Sequence, residues 1–187
     1  CGVGRITFPM AQDFSKVVGI DVSEVMVGKA QEYQKKFGIK NVEFLVNNGI
    51  DLSLLLDDSL DFILSYLTLQ HCPSSKQVLM YIKEFSRTLR PSGVCLFQAR
   101  VAPTFKSYIR FIFSKNLAKI NYFLNKNYYL EDAFMGNWVR YSQVYKTVFQ
   151  NFSSFYFLQA PAEIYKEKIW KSNNEYLRWK RSFLICI

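Results

Sequence analysis

"KVVGIDVSEVMVGKAQEYQKKFG", Lys16 to Gly38, is the stretch that decides the fold. Its first six residues form a compact β-branched run closing on an acid, the pattern of a buried parallel strand. Ser23 then stands where an N-cap is wanted, Val25, Met26, Ala30, Tyr33 and Phe37 follow at helical spacing, and Gly38 supplies a stop. Strand, turn and helix are predicted in that order.

Outward from this unit the same rhythm repeats. "VEFLV" (42–46) reads as a second strand, "LDFILSYLTL" (60–69) contains a third and "VCLFQARV" (94–101) a fourth. Between the last two, "SSKQVLMYIKEFSRTLRPSG" (74–93) lines Val78, Leu79, Ile82, Phe85 and Leu89 along one helical face, and Pro91 and Gly93 are expected to end it. Strands alternating with helices predict an α/β fold with a mainly parallel sheet flanked by helices and joined by right-handed crossovers.

Past Pro103 the character changes. "TFKSYIRFIFSKNLAKINYFL" (104–124) sets Phe105, Tyr108, Ile109, Ile112, Phe113, Leu117, Ile120, Phe123 and Leu124 at three-and-four spacing among Lys106, Arg110, Lys115 and Lys119, predicting a basic amphipathic helix. A helix around 138–152, a strand over 155–161, a helix over 162–181 and a terminal strand over 182–187 are expected after it. The formal charge of +9 follows the same division: residues 1–100 carry 11 Lys and Arg against 10 Asp and Glu, residues 101–187 carry 13 against 5. We therefore expect one domain in three parts: a core over 1–102, a helical lid or insertion over 103–154, and strands and a helix over 155–187 that complete it.

The chain of 187 residues can bury one sizeable core. Its four cysteines and single histidine, His71, form no CxxC pair or clustered ligand set, so neither a zinc site nor a disulfide framework is suggested. GxSxG, GxxxxGK[ST] and HExxH are all missing from the sequence, which leaves hydrolase and nucleoside-triphosphatase readings without support. With no long apolar run or leader pattern, a cytoplasmic protein is the expectation.

The chemistry lies at the strand ends. In an open parallel sheet a ligand sits where the strands finish, and close backbone approach there favours glycine. Gly2 and Gly4 in "CGVGR" suit such a turn, and Asp21, closing the next strand, is placed for a carboxylate that accepts both hydroxyls of a ribose. This pairing signals a nucleoside cofactor without choosing between a dinucleotide and S-adenosylmethionine. Asp21 also suits the start of a helix, where an acid is stabilising in its own right.

As a set, "CGVGR", "VVGIDVSEVMVGKAQ", "NNGIDLSLLLDDSLDFILSYLTLQHCPS" and "YIKEFSRTLRPSGVCLFQ" resemble the core of class I S-adenosylmethionine-dependent methyltransferases, over residues 1 to about 98. The resemblance implies a Rossmann-like fold whose first strand, with a closing acid and glycine, is expected ahead of Cys1. It implies that Gly2 and Gly4 pass the methionine part of S-adenosylmethionine and that Asp21 holds the ribose. Val22 and Met26 would lie against adenine, and Asn48 and Gly49 at its amino edge, where an Asn carbonyl can accept the N–H. Ser65 and Tyr66 would line the floor near the transferable methyl, with Gln70 and His71 beyond.

The implied reaction is methyl transfer to a small-molecule acceptor, with His71 available as a base where the acceptor must lose a proton. A nicotinamide-dependent oxidoreductase would share the glycine turn and Asp21 but wants a third glycine where Thr7 stands. A methyltransferase-like domain that binds nucleic acid or protein without turnover is the non-enzyme alternative. For the basic stretch 104–124 three roles are open: a lid over the acceptor, an RNA-binding face, or a membrane-surface helix.

Overall fold

The structure is a computed structural model, which describes residues 1–102, 104–124, 137–158, 169–170 and 182–186. The chain divides into two compact units, Cys1–Leu54 and Leu55–Ile187.

The first unit contains α1 (Thr7–Met10), β1 (Val17–Asp21), α2 (Glu24–Phe37) and β2 (Val42–Val46). β1 and β2 run parallel, in register from Val17 opposite Val42 to Asp21 opposite Val46. Both predicted ends of α2 form as chemistry dictates. The Ser23 hydroxyl accepts the Met26 N–H at 3.3 Å, and Gly38 takes the left-handed conformation at φ 66°.

The buried face of α2 differs from the predicted one. Val27 and Ala30 join Val42 and Phe44 in the core, while Val25, Met26, Tyr33 and Phe37 are exposed. The cause is a polar contribution that apolar spacing does not register. Gln34 Nε2 donates to the Val42 carbonyl at 2.6 Å and Gln31 Nε2 to the Phe44 carbonyl at 3.4 Å, so two glutamines share the sheet-facing side with Val27 and Ala30.

The second unit opens with β3 (Leu60–Ser65), a 3₁₀ turn (Leu69–His71), α3 (Ser75–Thr88) and β4 (Leu89–Ala99). It continues with β5 (Val101–Ala102), α4 (Phe105–Leu124), β6 (Val139–Arg140) and α5 (Tyr141–Asn151), then β7 (Phe155–Leu158), β8 (Ile169–Trp170) and β9 (Ser182–Cys186). Five strands form one sheet in the order β3-β4-β9-β7-β8, with β3 and β4 parallel and the remaining pairs antiparallel. β5 and β6 make a short parallel pair.

Ser74 caps α3 by accepting the Gln77 N–H at 3.1 Å, and Val78, Ile82 and Phe85 are buried as predicted. Phe85 lies 5.9 Å from Phe97 of β4, ring centre to ring centre. The helix ends at Thr88, earlier than the Pro91 and Gly93 signal suggested. Leu89 is already strand, paired with Leu60, and a register shift follows with Ser92 at φ 68°. The residue before a proline resists the helical region, so Arg90 favours extended chain and the helix stops short of it.

α4 forms over the predicted span, with a different buried side. Phe111 is 6% exposed and stacks on Trp138 at 5.2 Å, whereas Phe105, Ile109, Ile112, Phe113 and Leu117 face solvent. The side chains of Ile120, Phe123 and Leu124 lie outside the description. Ile169 and Trp170 fall in the segment predicted as a helix over 162–181, yet they pair antiparallel with Leu158 and Phe157. An isoleucine and a tryptophan suit such an edge pairing. The rest of that segment, and the predicted strand ends at 159–161 and 187, lie outside the described residues. Among those described, no helix is long and apolar enough to cross a membrane.

Candidate functional site

In the first unit the end of β1 is tied to the glycine turn by one carboxylate. Asp21 Oδ2 accepts the Gly2 N–H at 2.7 Å and lies 3.0 Å from the Cys1 amino nitrogen, while Oδ1 accepts the Ser23 N–H at 3.0 Å. Burial alone would raise its pKa. The backbone donors of Gly2 and Ser23 instead hold Asp21 below the ordinary carboxylate value.

Gly2 and Gly4 both have positive φ, 55° and 89°. A Cβ on Gly4 would come within 2.6 Å of the Phe8 ring, whereas one on Gly2 would meet nothing within 4 Å. The two glycines therefore serve different ends. Gly4 lets the turn pack on α1, and Gly2 presents a bare backbone to open space.

The loop after β2 is organised by amides. Asn47, buried, donates its backbone N–H to the Asp21 carbonyl at 2.8 Å and accepts the Gly49 N–H with its side-chain oxygen. Asn48 Oδ1 accepts the Ile50 and Asp51 N–H groups at 2.8 and 3.1 Å, so the carbonyl expected at adenine is engaged in its own turn. Asn47 and Asp51 were not singled out from sequence, yet they set the loop's shape: Asn47 Nδ2 donates to the Asp51 carbonyl at 2.7 Å and Asn48 Nδ2 to Asp51 Oδ1 at 3.0 Å. Val22 is beside this loop, its Cγ1 3.5 Å from where a Gly49 Cβ would stand. Val22, Met26 and Ile50 are all exposed apolar side chains.

In the second unit Ser65 is buried at the end of β3, Tyr66 is exposed, and Leu67 adopts φ 57° before the 3₁₀ turn. Gln70 is buried, with Nε2 3.2 Å from Nε2 of the exposed His71, and its carbonyl accepts the Asn137 N–H at 2.7 Å. Burial pushes the neighbouring Cys72 thiol up to about 11, leaving no appreciable thiolate near neutral pH.

Among the described residues two further buried side-chain atoms have no hydrogen-bond partner: Gln98 Oε1, near the end of β4, and Asn137 Nδ2, just ahead of β6. Unpaired buried amides are costly and uncommon in structural cores. Asn137 lies outside every motif quoted from the sequence, and Gln98 ends one of them without having been assigned a role. The described residues contain no group of three or more His, Cys, Asp or Glu able to hold a metal ion.

Residues 1–97 match the family model described as a methyltransferase domain. The chain belongs to this family. A protein of Saccharomyces cerevisiae named as a probable S-adenosylmethionine-dependent methyltransferase is 28% identical over 109 residues, covering 58% of this chain and 36% of that protein. A demethylmenaquinone methyltransferase of Geobacillus stearothermophilus is 30% identical over 132 residues, covering 64% of this chain and 55% of that protein. The same-named protein of Lactococcus lactis is 35% identical over 101 residues, covering 51% of this chain and 38% of its own length. Across the first four curated relatives the matched part spans 36% to 55% of their length.

A solved structure of a S-adenosylmethionine-dependent methyltransferase from Methanosarcina mazei superposes with a TM-score of 0.64 over 99% of this chain and 87% of that one. At 19% identity it shows the fold, a Rossmann-like methyltransferase fold. The residues present fit the family's cofactor on the geometry of the first unit. Gly2 leaves a space that a side chain would fill, and Asp21 presents a charged carboxylate beside it at the end of a parallel strand.

Proposed function

We propose that this protein transfers a methyl group from S-adenosylmethionine to a small-molecule acceptor in the cytoplasm. The observation that carries the reading is the Asp21 carboxylate fixed to the open Gly2 turn. Its two unpaired amides, Gln98 and Asn137, support a compact polar acceptor, and the demethylmenaquinone methyltransferases among its relatives are named for a small molecule.

When bound, S-adenosylmethionine supplies an electrophilic methyl group on a sulfonium. The chain's own residues bind and orient. Asp21 takes the ribose hydroxyls, Gly2 the methionine part, with Gly4 shaping the turn that presents it, and Val22 and Met26 the adenine face, with the Asn48-Gly49 turn at its edge. Ser65 and Tyr66 are assigned by resemblance to the floor near the transferable methyl. Displacement at a methyl group is governed by alignment and exclusion of water, so positioning accounts for much of the rate. His71, exposed after β3, takes a proton where the acceptor has one to lose.

Calorimetric titration of the whole protein with S-adenosylmethionine and, separately, with NAD tests the reading. Binding of the former with no comparable binding of NAD is expected. Preference for NAD would restore the oxidoreductase alternative, and binding of neither would leave a domain without turnover.

A further inference from the structure

The outward side of α4 combines features that the methyl-transfer reading does not use. At roughly 100° per residue along a helix, Phe105, Ile109, Ile112, Phe113 and Leu117 fall on one side, opposite Phe111, with the exposed Asn116 and Lys106 set among them. All five are exposed, Phe105 by 64% and Phe113 by 72%, while Phe111 is 6% exposed against Trp138. The helix is anchored by its other side. Five large apolar side chains, each costly to leave in water, are thus held outward on a fixed element.

One flank of this side is cationic. Lys106 and Arg110 are exposed, and at roughly 100° per residue Lys106 falls between Phe113 and Leu117 and Arg110 just past Leu117. From Val101 to Leu130 the sequence has five Lys and Arg and no Asp or Glu. α4 does not qualify as a membrane-crossing helix. An apolar side with a basic flank, on a helix that does not span, matches the composition of helices that lie in the plane of a bilayer interface, with apolar side chains among the acyl chains and cations at anionic headgroups.

We propose that the outward face of α4 docks on an anionic lipid surface. Phe105, Ile109, Ile112, Phe113 and Leu117 enter the interface, and Lys106 and Arg110 meet the lipid phosphates. RNA suits this face less well. Ile109, Ile112 and Leu117 cannot stack on bases, and an RNA track needs cations along its length and aromatic platforms between them. The inference stands apart from the reaction and from the identity of the acceptor.

The test is sedimentation of the whole protein with phosphatidylcholine vesicles, with and without phosphatidylglycerol, at physiological salt. Binding to the anionic vesicles at least about tenfold tighter than to the neutral ones is expected. The variant Phe105→Ser/Phe113→Ser should lose at least about tenfold in that affinity, with its thermal unfolding unchanged because both sites are exposed. Lys106→Glu/Arg110→Glu should abolish the preference for anionic lipid. Failure to sediment with anionic vesicles overturns the proposal, as does undiminished binding by the Phe105→Ser/Phe113→Ser variant. Complete release by high salt would mark surface charge alone and contradict insertion. A gel shift with RNA in the absence of vesicle binding would assign the face to nucleic acid instead.

Discussion

The Gly2 N–H donates to Asp21 Oδ2 at 2.7 Å, joining two residues 19 positions apart at the end of one parallel strand. The bond makes the glycine turn and the acid a single device. The turn cannot shift without releasing the carboxylate, and the carboxylate cannot be neutralised without loosening the turn.

The two glycines of the turn should respond differently to a methyl group. Gly4→Ala combines φ 89° with a Cβ within 2.6 Å of Phe8, and such backbone strain costs on the order of 1–3 kcal/mol. Thermal unfolding should register that loss. Gly2→Ala meets open space, so its stability cost is confined to left-handed strain of roughly 1–2 kcal/mol. Its principal effect should be on S-adenosylmethionine affinity. Equal affinity for wild type and Gly2→Ala would detach the open turn from the cofactor.

Gln98 offers a test of a group kept at the expense of stability. Its side-chain oxygen is buried and unpaired, and leaving such a group unsatisfied costs about 1–3 kcal/mol. Gln98→Met keeps similar volume without the unpaired oxygen, so its unfolding temperature should rise while acceptor affinity falls. A lower unfolding temperature would show that Gln98 supports the fold.

The Cys72 thiol, raised to about 11 by burial, should resist alkylation by iodoacetamide at pH 8 and become reactive only as the pH approaches that value. Mass spectrometry of the labelled native protein reads this directly. Rapid labelling at pH 8 would contradict the assigned environment.

Acid should act through Asp21. Its pKa in the fold lies below the ordinary value of 3.8, so the unfolded chain takes up the proton first as pH falls. The stabilising contribution is fully present above 3.8 and is lost as pH falls through the lower folded value. Unfolding temperatures measured through this range should fall less steeply for Asp21→Asn than for wild type. Parallel curves would show that Asp21 carries no such linkage.

The strands and helix starts were legible because each rests on local chemistry. Ser23 and Ser74 cap α2 and α3, Gly38 ends α2, and β1, β2 and β3 are apolar runs bounded by polar residues. Which side of a helix faces inward was less legible. In α2 the sheet-facing side includes Gln31 and Gln34, and in α4 the inward contact is Phe111 on Trp138 rather than the more numerous apolar residues opposite. Apolar spacing locates a stripe but does not say what covers it. Leu89 entered a strand because Pro91 ends the helix sooner than its apolar spacing implies, and Ile169–Trp170 because a strand partner was available. Asp21 and the glycine turn could be found from residue type and spacing. Gln98 and Asn137 could not, since an unpaired buried amide is visible only in three dimensions.

The most direct measurement is the affinity of wild type and Asp21→Ala for S-adenosylmethionine by calorimetry, with thermal unfolding of each to confirm that both are folded. The account predicts a loss of at least about tenfold on removal of a charged hydrogen-bonding group. An Asp21→Ala protein that folds and binds S-adenosylmethionine as tightly as wild type would contradict it.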